Sequence, residues 1–314
     1  MRINIYALPR DPNWTFTEVQ YLYYRYMRKF APPGIDIVLK HRDDEKEVRG
    51  FGDCKYGGCK FGPLYLIIEN DENKKYILIS YWDRMSDVLV NLDGPAGTHF
   101  DPQNCVEIMT SAGVHDPKVE GMTYTPFTFV TTSRRVEWEI EKAYRNNIQK
   151  IIPDKPKFKG LLYDFRDYLS RDERFDVTPK DMYAEDYIRD LATQRISLGM
   201  HGAGETCPRD IELLGLGTVM VRKHIVAKYH NPLIPEVHYA GVDWESIPYN
   251  MHYQRDEYWK ELADRYIEKY ESIRHDGEYL NYISTNARKW YVENGTIKAN
   301  VRLMCKLVDF NKLV

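Results

Sequence analysis

Residues 196–217, ISLGMHGAGETCPRDIELLGLG, combine an apolar run, a glycine-rich turn and a proline that can open a helix. Gly202 and Gly204, on either side of Ala203, permit close approach of the backbone to a ligand, and Pro208 is tolerated in a first helical turn. The amide groups and dipole of such a helix N-terminus favour an anion. The stretch therefore predicts a phosphate-binding turn between a strand and a helix, with an ordinary strand–turn–helix as the alternative.

Charged side chains follow this turn at a spacing that suits a nucleotide. Arg209 and Glu212 are three residues apart and share one face of the predicted helix. A guanidinium at Arg209 could pair with a diphosphate, and a carboxylate at Glu212 could accept hydrogen bonds from ribose hydroxyls. Arg166, just past the predicted strand FKGLLY, places a second cation at a strand end, and His201 could bind a phosphate or sugar. The alternative is a salt-bridged pair on a solvated helix.

Two better-known phosphate motifs do not fit this stretch. No Gly-Lys-Ser/Thr follows the turn, so it is not a P-loop. The third glycine position of a dinucleotide-binding fingerprint holds Cys207, and the stretch lies in the middle of the chain rather than at a first strand. The sequence therefore predicts an anion site without assigning it to either class.

The elements that would position these residues alternate between strand and helix, which predicts an α/β fold. The proline- and lysine-rich segment IIPDKPKFKG, residues 151–160, separates two such halves. We predict an N-terminal domain over 1–155 and a C-terminal domain over 156–314 with a cleft between them. Open parallel sheets bind ligands beyond the carboxyl ends of their strands, so the site is expected there.

Composition excludes several classes of protein. The 314 residues carry a formal net charge of −3 with no basic block, which argues against a nucleic-acid partner. No apolar run approaches the roughly 18 residues of a membrane span, and the N-terminus lacks a signal-peptide pattern. Five scattered cysteines favour a reducing, cytoplasmic setting, and Cys54 and Cys59 lack a second pair that would complete a zinc site. The 25 tyrosines suit sugar-like ligands as well as ordinary packing.

The stretch DMYAEDYIRDLATQRISLGMHGAGETCPRDIELLGLGTVMV resembles the donor half of GT-B glycosyltransferases. The stretch YHNPLIPEVHYAGVD is similar to the exostosin-like and capsule-synthesis-like branches, and the whole is similar to enzymes encoded by large algal viruses, xylosyltransferases included. The resemblance covers residues 158–245. It implies a GT-B fold of two Rossmann-like domains, with the acceptor bound by the first and the donor by the second.

The resemblance also implies a reaction: transfer of a sugar from a nucleoside-diphosphate sugar to a glycan or glycoprotein acceptor. A UDP-sugar is expected, UDP-xylose among the candidates, with no metal or other cofactor. A viral enzyme of this kind would work in the cytoplasm of the host cell. The spacing from Glu205 to Glu212 is one residue short of the E-x7-E signature of many retaining members, which favours inversion.

Position by position, the resemblance assigns donor-binding roles to residues of the second half. Glu212 is similar to the ribose ligand, Arg209 and Arg166 to the diphosphate partners, and the glycine-rich turn to the close-approach segment. Tyr183, in the loop FDVTPKDMY, is a candidate for contact with the nucleobase. His238 could line the cleft or simply pack.

An inverting transfer needs a base that takes the proton from the acceptor hydroxyl. Asp83 ends the run KYILISYWD and is the first candidate, with His99 second and Asp11 third. Tyr81 and Trp82 could form a wall of the sugar site. Asp83 could instead cap the next helix, and His99 could be an ordinary loop residue. The competing functions are a non-catalytic nucleotide-binding protein and an NAD-dependent oxidoreductase.

Overall fold

A computed structural model describes residues 1–7, 15–41, 65–80, 104–110, 123–126, 134–159, 164–178, 184–200, 206–225, 229–244 and 256–314. Within these residues the first half of the chain contributes the strands β1 (Arg2–Ala7), β2 (Asp36–His41), β3 (Tyr65–Asn70), β4 (Tyr76–Ser80), β5 (Cys105–Thr110) and β6 (Thr123–Pro126). Its described helices are α1 (Thr15–Phe30) and α2 (Arg134–Arg145).

The six strands form one mixed sheet in the order β2-β1-β3-β4-β5-β6. The strand β1 pairs parallel with β2 and antiparallel with β3, and β4, β5 and β6 pair parallel with one another. The antiparallel pair β3–β4 confirms the hairpin predicted from LYLIIEN and KYILISYW. Apolar side chains of β1 and β4, such as Ile5 and Ile77, are fully buried, which fixes the register of the central strands.

The second half contributes β7 (Lys157–Lys159), α3 (Asp164–Leu169), β8 (Asp176–Thr178), α4 (Ala184–Ala192), β9 (Ile196–Leu198), α5 (Pro208–Leu216), β10 (Val219–Lys223), β11 (Ala240–Val242), α6 (Asp256–Ile273), α7 (Gly277–Trp290) and α8 (Ile297–Leu307). A π-helical turn, Tyr291–Gly295, joins α7 to α8, and a 3-10 helix, Phe310–Leu313, ends the described fold.

The strands of the second half pair parallel, as the strand–helix alternation predicts. The strands β11, β10 and β9 form a three-stranded parallel sheet, called the second sheet below, and β7 pairs with β8 in a separate two-stranded sheet. The strand β7 lies beside β9, where the Ser197 hydroxyl donates to the carbonyl of Lys157 at 3.0 Å. The α/β class is therefore confirmed. From β7 the chain adds β8 on one side. It then returns to β9, on the other side of β7, and continues through β10 to β11, so the order of the strands changes direction between β7 and β9.

Two local predictions in this half are wrong. The stretch VTPKDM, predicted as a loop, begins with the last residues of β8, because Val177 pairs with the buried Phe158. The helix predicted over DFRDYLSRDERF ends at Leu169. The Asp172 side chain accepts a hydrogen bond from the amide of Arg174 at 3.0 Å, a local turn that competes with helix continuation.

The buried apolar residues form one cluster on the first sheet and two around the second. Helix α8 belongs to the first cluster: its Val301 and Met304 are fully buried together with Ile3 and Ile79 of the sheet. Helix α2, from the first half, packs instead with α4 and α5. Thus α8 of the second half packs on the first sheet, and α2 of the first half packs with helices of the second half. The predicted domain boundary at residue 155 stays a prediction.

Further sequence-based expectations concern the membrane and the cysteines. None of the described helices has the length and apolar character that crossing a membrane requires. Cys105, Cys207 and Cys305 are buried free thiols. Cys54 and Cys59 lie outside the described residues.

Replacing Met304 with alanine tests the contribution of α8 to the first core. Met304 is fully buried, and we expect truncation to lower the free energy of unfolding by about 2–5 kcal/mol because it leaves a cavity. Urea denaturation followed by circular dichroism measures the loss. Lys306→Ala, at an exposed position of the same helix, is the control and should change stability by less than about 0.5 kcal/mol. Equal stability of Met304→Ala and wild type would contradict the assignment.

Candidate active site

The described residues on either side of the predicted phosphate-binding turn lie at the carboxyl edge of the second sheet. The strand β9 ends at Leu198, and α5 begins at Pro208 and ends at Leu216. Gly217 caps the helix with a left-handed φ of 62°. The strands β10 and β11 run parallel to β9, so their last residues, Lys223 and Val242, lie at this same edge. The N-terminus of α5 therefore faces the side on which parallel sheets bind ligands.

A tyrosine of α6 forms hydrogen bonds with the ends of two strands at this edge. The hydroxyl of Tyr266 donates to the carbonyl of Gly199 at 3.2 Å and accepts from the amide of Lys223 at 3.1 Å. Tyr266 is fully buried, and burial raises the pKa of its hydroxyl to about 12. The side chain therefore stays neutral at physiological pH and holds the ends of β9 and β10 at a fixed separation.

A buried ion pair fixes the start of α5. The carboxylate of Asp210 accepts from Nη1 of Arg222 at 2.5 Å, and both side chains are fully buried. The same carboxylate accepts from the amide of Cys207 at 3.1 Å, which is one half of a capping box. Strand β10 and the first turn of α5 are thereby joined through one carboxylate.

Arg166 lies near the place where the chain changes direction between β7 and β9. It belongs to α3, which follows β7, and its Nη2 donates to the carbonyl of Met200, just after β9, at 2.8 Å. The side chain is buried, with 2% of its surface exposed. The structure thus places this predicted diphosphate partner directly beside the strand end that leads into the glycine-rich turn.

Arg209 lies in the first turn of α5, and part of its guanidinium group has no hydrogen-bond partner in the described residues. Its Nε and Nη1 are buried and have no hydrogen-bond partner among the residues that the structure describes. Burial alone would lower the pKa of Arg209, but Tyr187 of α4, Cys207 and the carboxylates of Asp210 and Glu212 raise it overall. The guanidinium is therefore a permanent positive charge enclosed at the helix N-terminus.

Glu212, the predicted ribose ligand, is 8% exposed on a helix whose residues 210–216 are all buried. The alternative of an ion pair on a solvated helix is therefore wrong. Burial raises the pKa values of Tyr187 and Tyr291, and the charge of Glu212 raises both further. The carboxylate thus lies in the packed region between α4 and the π-helical turn.

Several predicted site residues lie outside the described part of the chain. These are the candidate bases Asp83, His99 and Asp11, the wall residues Tyr81 and Trp82, the base-contact candidate Tyr183, and the turn residues His201, Gly202, Ala203 and Gly204. Their roles stay predictions. Among the described candidates, His238 accepts a hydrogen bond from the amide of Ile234 through Nδ1 at 2.9 Å, a local turn contact before β11.

Sequence reasoning missed the residues that support the site: Asp210, Arg222, Tyr187 and Tyr266. Two of them had a readable signal. An aspartate at the third position of a helix that begins at Pro208 is a capping-box acceptor. An arginine in the apolar strand VMVRK must find a buried partner, because a lone buried charge is costly. The two tyrosines come from other helices and had no local signal.

The chain is similar to a solved structure of an alpha-glucosyltransferase in complex with UDP-glucose and DNA containing an abasic site. The sequence identity is 9% and the TM-score 0.47, over 94% of this chain and 96% of the other. No protein-family model matches the chain, and no curated protein does. The reaction must therefore be inferred from the side chains of the site.

Breaking the buried ion pair should destabilise the protein strongly. Arg222→Met leaves Asp210 as a buried, unpaired carboxylate, and we expect a loss of about 3–5 kcal/mol in the free energy of unfolding. The double variant Asp210→Leu/Arg222→Met removes both charges and should recover most of that loss, apart from about 1 kcal/mol for the missing cap. Urea denaturation of the three proteins measures both effects. Additive losses in the double variant would contradict the pairing.

Proposed function

We propose that the protein is a glycosyltransferase of the GT-B type that binds a nucleoside-diphosphate sugar at the carboxyl edge of its second sheet. The observation that carries this proposal is Arg209, whose buried Nε and Nη1 have no partner among the described residues. Enclosed guanidinium donors at a helix N-terminus suit a phosphate group, which they can bind through charge-assisted hydrogen bonds. A buried guanidinium left without such an acceptor would be destabilising.

The second support is the convergence of positive charge on the point where the chain direction reverses. Arg166 reaches the carbonyl of Met200 from the β7 side, and α5 directs its N-terminal dipole toward the same strand end. Departure of a nucleoside diphosphate leaves negative charge on the leaving oxygen. Fixed positive groups in a site that excludes water stabilise that charge as it develops.

The finer features of the donor follow the resemblance described above. We propose UDP as the nucleotide, with UDP-xylose among the candidate donors, Glu212 as the ribose ligand and Tyr183 as a contact of the base. The glycine-rich turn from His201 through Gly204 would place backbone amides against the diphosphate. We further propose that no metal ion is needed, since Arg166 and Arg209 would supply the positive charge beside the leaving group.

The transfer is proposed to invert the anomeric carbon in one displacement. An oxygen of the acceptor glycan forms the new bond to the anomeric carbon while the bond from that carbon to the diphosphate oxygen breaks. Asp83, or His99 as second choice, takes the proton of the acceptor hydroxyl, and UDP leaves with the bonding electron pair. In this assignment the first half of the chain binds the acceptor.

Arg209→Gln tests the donor site directly. The variant loses the permanent charge and part of the hydrogen-bonding fork, and we expect the Kd for UDP to rise roughly 10- to 100-fold, from 1.5–3 kcal/mol per charged hydrogen bond. Isothermal titration calorimetry measures the affinity. The matched control is Arg189→Gln on the neighbouring helix α4, where Arg189 is 57% exposed and pairs with an equally exposed Asp186. The Arg189→Gln variant should bind UDP with the affinity of the wild type.

An unchanged UDP affinity in Arg209→Gln would refute the donor site. Tight binding of NADH without binding of UDP would favour the oxidoreductase instead. Binding of UDP without release of UDP from any UDP-sugar in a panel of acceptors would favour a nucleotide-binding protein that has no transferase activity.

Asp83→Asn tests the proposed base. The amide cannot take the proton of the acceptor hydroxyl, so we expect sugar transfer to fall at least about 100-fold, the lower end of what general base catalysis contributes. UDP affinity should stay within about threefold of wild type, because the proposed diphosphate site is formed by residues of the second half of the chain. Release of UDP in the presence of acceptor measures the rate. Transfer within a few fold of wild type would remove Asp83 from the mechanism, and His99→Gln would then be the next variant to assay.

A further inference from the structure

A pocket with a volume of about 930 Å³ opens at the edge of the second sheet opposite the proposed donor site. Its floor is formed where β9 and β10 begin, near Arg195 and Gly217, and its walls come from the end of α2 and the junction of α6 with α7. The carboxyl edge, where the donor site is proposed, lies at the other ends of the same strands. The two sites are therefore separated by the sheet.

The charges that line this pocket have one sign. Lys150, Arg195, Arg274 and His275 line it, and no aspartate or glutamate is among its lining residues in the described part of the chain. Arg274 pairs with Glu271 at 2.9 Å. Lys150 donates to neutral acceptors, the carbonyl of Leu216 at 2.8 Å and the hydroxyl of Thr218 at 3.1 Å.

Arg195 likewise donates to a neutral group, the side-chain carbonyl of Asn281. Among the described residues no carboxylate forms an ion pair with Lys150 or with Arg195. Burial, and then the charge of Arg195, lower the pKa of Lys150 to about 7. Two neighbouring cations with neutral partners repel each other, and an anion bound between them would remove that repulsion.

We propose that this pocket binds the phosphate group of a small phosphate ester, with Lys150 and Arg195 as its ligands. A doubly charged anion matches two adjacent cations better than a singly charged one. The volume exceeds that of phosphate alone and falls in the range of small-molecule sites. The amides and hydroxyls of Asn147, Gln149 and Ser284 line the remaining wall and suit a hydroxyl-bearing body. This proposal does not depend on the proposed transferase activity.

Binding at this site should change the protonation of Lys150. The titratable and charged groups that face it are Tyr144 of α2, Arg195 before β9, and Arg274 and His275 at the end of α6. The pKa of Lys150 is about 7 in the free protein, so at about pH 8 most of its amino groups are neutral. A bound phosphate favours the ammonium form, so binding should take up as much as about one proton.

Calorimetry with two probes, glucose 6-phosphate and uridine monophosphate, tests the site and distinguishes a sugar phosphate from a nucleotide. Titrations near pH 8 in buffers of different ionisation enthalpy report the proton uptake. In Lys150→Met we expect the Kd to rise at least roughly tenfold and the proton uptake to vanish. In Arg195→Gln the affinity should also fall. Lys155→Met, at an exposed lysine that donates to the carbonyl of Glu173, is the matched control.

The outcomes separate this site from the donor site. Binding of either probe that is lost in Lys150→Met and Arg195→Gln but kept in Arg209→Gln and Lys155→Met supports the proposal. Binding that is lost only in Arg209→Gln would assign the phosphate to the donor site and overturn it. Affinity unchanged in both Lys150→Met and Arg195→Gln, or no binding of either probe at millimolar concentration, would overturn it as well. Circular dichroism confirms that each variant is folded.

Discussion

The buried pair of Arg222 and Asp210 is the constraint on which the carboxyl edge of the second sheet depends. Neither charge has any exposed surface, so each requires the other to offset its desolvation. Because Asp210 also accepts from the amide of Cys207, the pair fixes the first turn of α5 relative to β10. Successive helical residues point about 100° apart. Because the ion pair holds the Asp210 side chain against Arg222 of β10, the Arg209 side chain lies on a different side of the helix, toward Tyr187.

Positively charged side chains lie at both edges of the second sheet, but their charges have different neighbouring groups at the two edges. At the carboxyl edge, Arg209 lies near the carboxylates of Asp210 and Glu212, which contribute to the raised pKa of its guanidinium. At the amino edge, Lys150 and Arg195 have neutral partners only, among the residues described. At the amino edge, burial and then the charge of Arg195 lower the pKa of Lys150, so binding of the proposed anion would be coupled to protonation of this lysine.

The sequence predicts the fold well where the signal is local. The alternation of strands and helices, the hairpin β3–β4 and the helix that opens at Pro208 all follow from periodicity and turn residues. The three-residue strand β8 was missed, because its pairing with β7 comes from a distant segment. The position of Arg166 after a strand predicts a cation at a strand end, whereas its hydrogen bond to Met200 depends on packing between segments that are distant in sequence. The roles of Tyr187 and Tyr266 depend on packing between helices that are distant in sequence.

The described carboxylates of the second half also bear on where a catalytic base can come from. Asp210 is held by Arg222, and Glu212 lies buried beside Tyr187 and Tyr291. Asp243 is exposed at the end of β11, but β11 is two strands from β9, about 10 Å across the sheet. A proton acceptor at Asp243 would therefore act about 10 Å across the sheet from the strand after which the diphosphate is proposed to bind. These positions of Asp210, Glu212 and Asp243 agree with the proposal of a base in the first half, where Asp83 follows β4 in the sequence.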